Sequence, residues 1–114
     1  DANGNSPLHY AAKVGSSAAI RTLIRAGANP NTLNNEGKPP IHTAIAAKSV
    51  TLSMIVKCIQ NLAMGGCNPN WSTSDGTTPL HLTVSLGHTR ATESLLQHGA
   101  EPNVVDKRGQ SPLD

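Results

Sequence analysis

Phenylalanine is missing from this 114-residue chain, tyrosine and tryptophan occur once each, and two cysteines are present. A core without aromatic bulk has to be assembled from Leu, Ile, Val and Ala, which suits small, closely packed helices. Cys58 and Cys67 are too few for a disulfide framework and follow no C-x-x-C spacing, so they favour a reducing compartment, cytoplasmic or nuclear. A net charge of +2 is too mild to announce a nucleic-acid or membrane partner. The opening "DANGNSPLHY" has neither the basic start nor the apolar run of a signal peptide. The most apolar stretch, "SVTLSMIVKCIQNLAM", is interrupted by Lys57, Gln60 and Asn61 and predicts no transmembrane span. Phosphate-loop, zinc-protease, nucleophile-elbow and dinucleotide motifs are all lacking, so no enzyme, cofactor or small-molecule substrate is expected.

What the chain does contain is repetition. "GANPN" at 27–31 returns as "GCNPN" at 66–70 and "GAEPN" at 99–103. "DANGNSPLHYAA" at residue 1 matches "NNEGKPPIHTAI" at 34, "TSDGTTPLHLTV" at 73 and "DKRGQSPLD" at 106. Gly4, Gly37, Gly76 and Gly109 mark one frame with separations of 33, 39 and 33, so the middle unit carries six extra residues. Ser6, Thr78 and Ser111 stand before Pro7, Pro79 and Pro112, a capping hydroxyl followed by a first helical residue that needs no N–H. Behind each proline an apolar face follows at helical spacing: Leu8, Ala11 and Ala12; Ile41, Ala44 and Ile45; Leu80, Thr83 and Val84. Gly15 and Gly87 stop that helix in the left-handed conformation. A second stripe follows, with Ile20, Leu23 and Ile24 in the first unit and Thr92, Leu95 and Leu96 in the third, and Gly27, Gly66 and Gly99 end it.

A helix, a tight turn, an antiparallel second helix and a turn-rich loop on this period, with "SPLHYAA", "TPLHL" and "GANPN" inside it, resembles the ankyrin repeat family. The resemblance covers the whole chain and implies an all-α solenoid of stacked antiparallel helix pairs joined by β-turn or hairpin-like loops. It implies one domain, with repeats at 1–33, 34–72 (carrying the insertion) and 73–105, and the opening of a fourth at 106–114. Repeat one opens at full consensus and residue 114 falls inside a first helix, so the natural protein is expected to continue past at least one end.

Repeat two departs most from its neighbours. Pro39 replaces the capping hydroxyl, at an expected cost of about 1 kcal/mol. Lys48 replaces the turn glycine. Six residues inserted within a helix would rotate everything beyond by roughly 600°, so a terminal extension is expected instead. Ile55 and Leu52 continue the face of Leu62 and Ile59, and either Ser49 or Thr51 serves as N-cap, which predicts a second helix starting nearly two turns early. The extension is either a neutral insertion at a tolerant turn or a binding feature.

His9, His42 and His81 recur at one repeat position, which predicts hydrogen bonds to the neighbouring loop backbone. Equivalent residues in stacked repeats lie roughly 10 Å apart, too far to share a metal ion. Cys67 takes the slot of Ala28 and Ala100 and is expected to be a small buried hydrophobe, while His88 and His98 are expected at solvated helix ends. "NWS" at 70–72 is a formal glycosylation sequon in the wrong compartment. Ankyrin repeats are substrates of an asparaginyl hydroxylase that prefers an Asn eight residues after a Leu. The resemblance places Asn31, Asn70 and Asn103 at that distance, although the preceding proline departs from the favoured pattern and loop hydrogen bonding is the plainer task.

The resemblance also implies that loop tips and the outer face of the first helices form a concave wall for partners. On this sequence the wall comprises Ala2, Asn3, Asn5, Lys13, Val14, Leu33, Asn35, Glu36, Lys38, Ala46, Ala47, Ser74, Asp75, Thr77, Ser85 and Leu86. Val14, Leu33 and Leu86 are apolar where packing does not demand it. Trp71 either covers the next repeat or stands exposed as an anchor. The expected function is a non-catalytic protein-interaction module, an adaptor or targeting segment of a larger protein, monomeric as a fragment, with its protein partner unnamed. The alternative is weak nucleic-acid or anionic-lipid binding through Lys38, Lys107 and Arg108, where interleaved Glu36, Asp75 and Asp106 argue instead for a mixed polar rim.

Overall fold

Two of the three first helices begin where the sequence supplies a capping hydroxyl. In the computed structural model, which describes residues 4–48, 50–73, 76–102 and 109, Ser6 opens α1 (Pro7–Lys13) and Thr78 opens the equivalent Pro79–Ser85. Both hydroxyls accept from the backbone N–H of the third helical residue, His9 or His81, and each histidine's Nδ1 in turn accepts from the cap's own N–H. Two orphan donors are thereby satisfied reciprocally. Between these helices lies Pro40–Ala46, whose N-cap Pro39 makes no side-chain cap bond. Pro39 has neither hydroxyl nor N–H, and Nδ1 of His42 is correspondingly left without a hydrogen-bond partner. His42 keeps an edge-on ring contact with Trp71.

The helices run in order α1, α2 (Ser17–Arg25), α3 (Pro40–Ala46), α4 (Leu52–Met64), α5 (Pro79–Ser85) and α6 (Thr89–Gln97), with no strand among the described residues. Consecutive helices pair into three layers. Layers stack so that α1, α3 and α5 form one row and α2, α4 and α6 the other. No helix among the described residues is long and apolar enough to cross a membrane. The core is a single sheet of aliphatic side chains between the rows: Leu8, Ile20, Ile41, Ile45, Ile59, Leu62, Leu80 and Leu95 are all essentially inaccessible. Thr83 and Thr92 sit on the stripe of the third layer and remain satisfied, since Thr92 Oγ1 donates to Thr83 Oγ1 at 3.0 Å and Thr83 Oγ1 donates to the Leu80 carbonyl. Ile24 and Leu96, at the margin of their stripes, are only partly covered.

First and third layers turn from one helix to the next through Gly15 and Gly87, both at φ 74°. Ser16 N–H reaches the Ala11 carbonyl and His88 N–H the Thr83 carbonyl, the six-to-one bond of a left-handed C-terminal cap. Lys48 cannot adopt that turn cheaply, and α3 leaves through an extended Ala47 (φ −65°, ψ 131°). The six extra residues then divide. Four extend α4 by one turn, to 13 residues against nine in α2 and α6, and two lengthen the linker. The extension is therefore one turn, not the nearly two expected from the stripe: α3 leaves through an extended Ala47 and α4 starts at Leu52. Thr51 is the N-cap, accepting from Met54 N–H. Ile55 is buried, but Leu52 overhangs the layer and is 50 % exposed.

The extended end is seated on the layer below. A Cβ at Gly15 would lie 2.6 Å from Val50 Cγ1 and 2.7 Å from Met54 Cε, whereas at Gly87 it would meet nothing within 4 Å. Gly15→Ala and Gly87→Ala share the strain of Ala at positive φ, about 1–2 kcal/mol. Urea denaturation should show Gly15→Ala costing about 1 kcal/mol more than Gly87→Ala, from overpacking alone; equal costs would mean that the α4 extension does not seat there. For the missing cap, Pro39→Thr gains roughly 1–2 kcal/mol of capping against roughly 0.4–1 kcal/mol lost to a freer unfolded chain. The urea midpoint should therefore rise, and a lowered midpoint would show that Pro39 packing outweighs the cap.

Candidate partner-docking wall

Two sets of interlayer hydrogen bonds fix the loops that border the wall. On the first-helix side, His9 Nδ1 is occupied by Ser6 and its Nε2–H donates to the Lys38 carbonyl at 2.7 Å, so a ring of one layer holds the hairpin of the next, as the recurrence of this histidine predicts. Within that hairpin Asn34 Oδ1 accepts from Glu36 and Lys38 N–H, and Asn34 Nδ2 donates to Asn5 Oδ1 in the layer below. Asn35 packs against Gly4, where a side chain would collide with it. On the second-helix side, Asn31 Nδ2 donates to the Gly66 carbonyl while its Oδ1 accepts from Asn68 N–H at 2.7 Å. Asn70 repeats the clamp one layer up, on the Gly99 carbonyl and Glu101 N–H. The geometry gives Asn31 and Asn70 this structural task; Asn103 lies outside the described residues.

The wall between these clamps is uneven. Positions equivalent to Lys13 and Val14 hold Ala46 and Ala47 in the middle layer and Ser85 and Leu86 in the third. Val14 is 62 % and Leu86 51 % exposed, with two alanines between them. The result is a groove of about 440 Å³ lined by Asn5, Lys13, Asn34, Glu36, Lys38, His42, Thr43, Ala46, Ala47 and Lys48. Six of the residues expected on the wall thus converge: Asn5, Lys13, Glu36, Lys38, Ala46 and Ala47. Val14, Leu33, Leu86 and Ser85 are exposed but do not line it, Asn35 sits at a hairpin tip, and Thr77 closes the base of the next hairpin through its bonds with Thr73. Ala2, Asn3, Ser74, Asp75, Lys107 and Arg108 lie outside the described residues. Trp71 is half-buried, its ring 5.9 Å from that of His42 at 86°, so its described contact is to α3 of its own layer.

Sequence reasoning missed Lys48 as a groove residue: it stands in place of the turn glycine and also lines the groove. Lys38 and Glu36 form an ion pair at 3.6 Å, which makes the rim mixed where it is described. Cys58 and Cys67 are buried, and burial pushes both thiols up to about 11, so they stay protonated and packed at neutral pH.

Family models for the ankyrin repeat match residues 3–35 as one copy and residues 52–114 as a run described as three copies. The chain belongs to the ankyrin repeat family. It is similar to the neurogenic locus notch homolog protein 1 of Danio rerio, 35 % identical over 113 residues, and to that of Homo sapiens, 34 % identical over 113 residues. Each match takes in 99 % of this chain and 4 % of the relative. A shorter match, 48 % over 44 residues, joins 39 % of the chain to 2 % of the neurogenic locus notch homolog protein 4 of Homo sapiens. The chain therefore spans a few hundredths of the length of these curated relatives. Within this ankyrin stack, Asn31→Ala or Asn70→Ala removes both halves of an interlayer clamp and should cost about 1–2 kcal/mol in urea denaturation. Wild-type stability in both variants would show that water replaces the clamp without loss.

Proposed function

We infer that this ankyrin-repeat chain is a non-catalytic protein-interaction module, an adaptor or targeting segment of a larger cytoplasmic or nuclear protein. The observation that carries the reading is the exposure of Val14, Leu33 and Leu86 (62, 48 and 51 %) at positions that the stacking of layers does not need; Val14 and Leu33 adjoin the groove-lining Lys13 and Asn34 in the chain, and Leu86 holds in the third layer the position of groove-lining Ala47. Aliphatic side chains left in water at one place gain free energy only when a partner covers them, at about 25 cal/mol per Å² of apolar surface. Ionisable side chains at the groove add orientation to that gain. The two buried thiols accord with a reducing compartment.

The test is affinity capture from cells with the wild-type chain and with Val14→Ala/Leu33→Ala/Leu86→Ala, whose substituted side chains are largely outside the core. Recovery of specific partners should fall by about an order of magnitude or more, since three partly covered anchors are each worth roughly 1 kcal/mol, while the melting temperature stays within a few degrees. Identical partners recovered at identical yield by both proteins would remove the wall from the function.

A further inference from the structure

We propose that the groove over the middle layer takes an acidic protein segment, with one apolar side chain in the Ala46–Ala47 notch and flanking carboxylates paired with Lys13 and Lys48. The inference rests on the reading of the wall as a protein-docking surface and names the chemistry of its partner. Shape comes first. The notch exists because the middle layer has Ala46 and Ala47 where its neighbours have Lys13–Val14 and Ser85–Leu86, and its 440 Å³ lies in the roughly 300–1,000 Å³ range of ligand sites. It lies open along the wall between loop clamps that are already hydrogen-bonded, so it suits an extended segment laid across it.

Charge supplies the second observation. Residues 4–73 contain Lys13, Arg21, Arg25, Lys38, Lys48 and Lys57 against Glu36 as the sole acid. Glu36 is engaged with Lys38 at 3.6 Å. Lys13 from the end of α1 and Lys48 from beyond α3 line the same groove, and the described residues offer neither of them a carboxylate within ion-pair distance. Three lysines against one glutamate among the described groove residues select against basic partners and draw acidic ones. Among the described residues the basic side chains are divided between two sites and do not form one strip. Arg21 and Arg25 line a separate slot of about 170 Å³ with Ile24, Asn61, Met64 and Gly65, on the α2 and α4 row. That separation provides an internal control of equal charge.

The experiment selects short random peptides displayed on phage against the full 114-residue chain and measures the recovered sequences by fluorescence anisotropy. Recovered peptides should be rich in Asp and Glu around one apolar residue. Binding should weaken about tenfold in Lys13→Ala/Lys48→Ala and change less than about twofold in Arg21→Ala/Arg25→Ala, which removes the same net charge from the other row. Ala46→Trp, which fills the notch and alters no charge, should weaken binding as strongly. Melting curves confirm that each variant is folded. Neutral or basic peptides, or equal losses in the two double variants, would overturn the proposal. So would a DNA duplex or phosphatidylserine vesicles that bind with the same dependence on Lys13 and Lys48, because the groove would then read anions in general. Peptides that need Leu33 and Leu86 but neither lysine would defeat the acidic partner and leave the docking wall standing; peptides indifferent to all four residues would defeat both.

Discussion

A helix of seven residues does not stand alone in water. Nucleating two turns costs more than so few hydrogen bonds return, and α1, α3 and α5 are each that short. They exist because each layer covers the aliphatic stripe of the next, and every other feature of the molecule is subordinate to keeping those layers in register. Hydrophobic contact sets no register by itself, since one Leu or Ile slides past another at little cost. Direction comes from the polar bonds that cross between layers: the His9 ring to the Lys38 carbonyl, and the Asn31 and Asn70 amides to the turns above them. Both kinds of bond join residues about one repeat apart, so they hold only if every layer has the same rise. Each such bond lies at the edge of the core, where water competes. Their value is in geometry more than in free energy.

The middle layer pays for its individuality in caps and turns. Its first helix starts on a proline that cannot bond His42, and it ends without a left-handed residue. Two compensations are visible. Trp71 closes edge-on over His42, and Val50 with Met54 on the lengthened α4 settles on Gly15 of the layer below. The second contact is possible only because Gly15 has no side chain, so one residue serves the α1 turn by its conformation and the α4 extension by its bareness. Loss of regularity and gain of a groove thus fall in the same layer. Ala46 ends α3, Ala47 is its extended exit, and Lys48 follows at the position of the turn glycine; all three line the groove.

Most of the fold was legible, and the reason is that it is written three times. Ser6 and Thr78 before proline, glycines at fixed offsets and two apolar stripes per unit each encode a local event, and repetition turns local events into an architecture. The recurrence of His9, His42 and His81 identified a bond to the neighbouring hairpin, which the structure displays for His9 at 2.7 Å. Less legible was anything that depends on how far the chain must travel. Helical phase permitted α4 to begin at any in-phase residue, and it begins at Leu52, after an extended exit through Ala47. Leu52 continues the stripe in sequence yet has no layer opposite it to cover it. The groove was hidden for a related reason. Two alanines at the end of a helix say nothing about concavity until the layers are stacked and the larger Val14 and Leu86 stand on either side.

Charge follows the same logic at longer range. Segregated lysines and arginines in the first two layers leave the last third of the chain net acidic, although the whole carries only +2. Among the described residues the split persists, with six basic side chains against one acidic in 4–73 and one basic against two acidic in 76–102. Repulsion within the basic layers is modest because Lys13 and Lys48 face one groove while Arg21 and Arg25 face the opposite row, with the aliphatic core between the two sets. At physiological salt, exposed charges interact over roughly 8 Å. Electrostatics at the groove are therefore set mainly by the side chains that line it, and net charge is a poor guide to them.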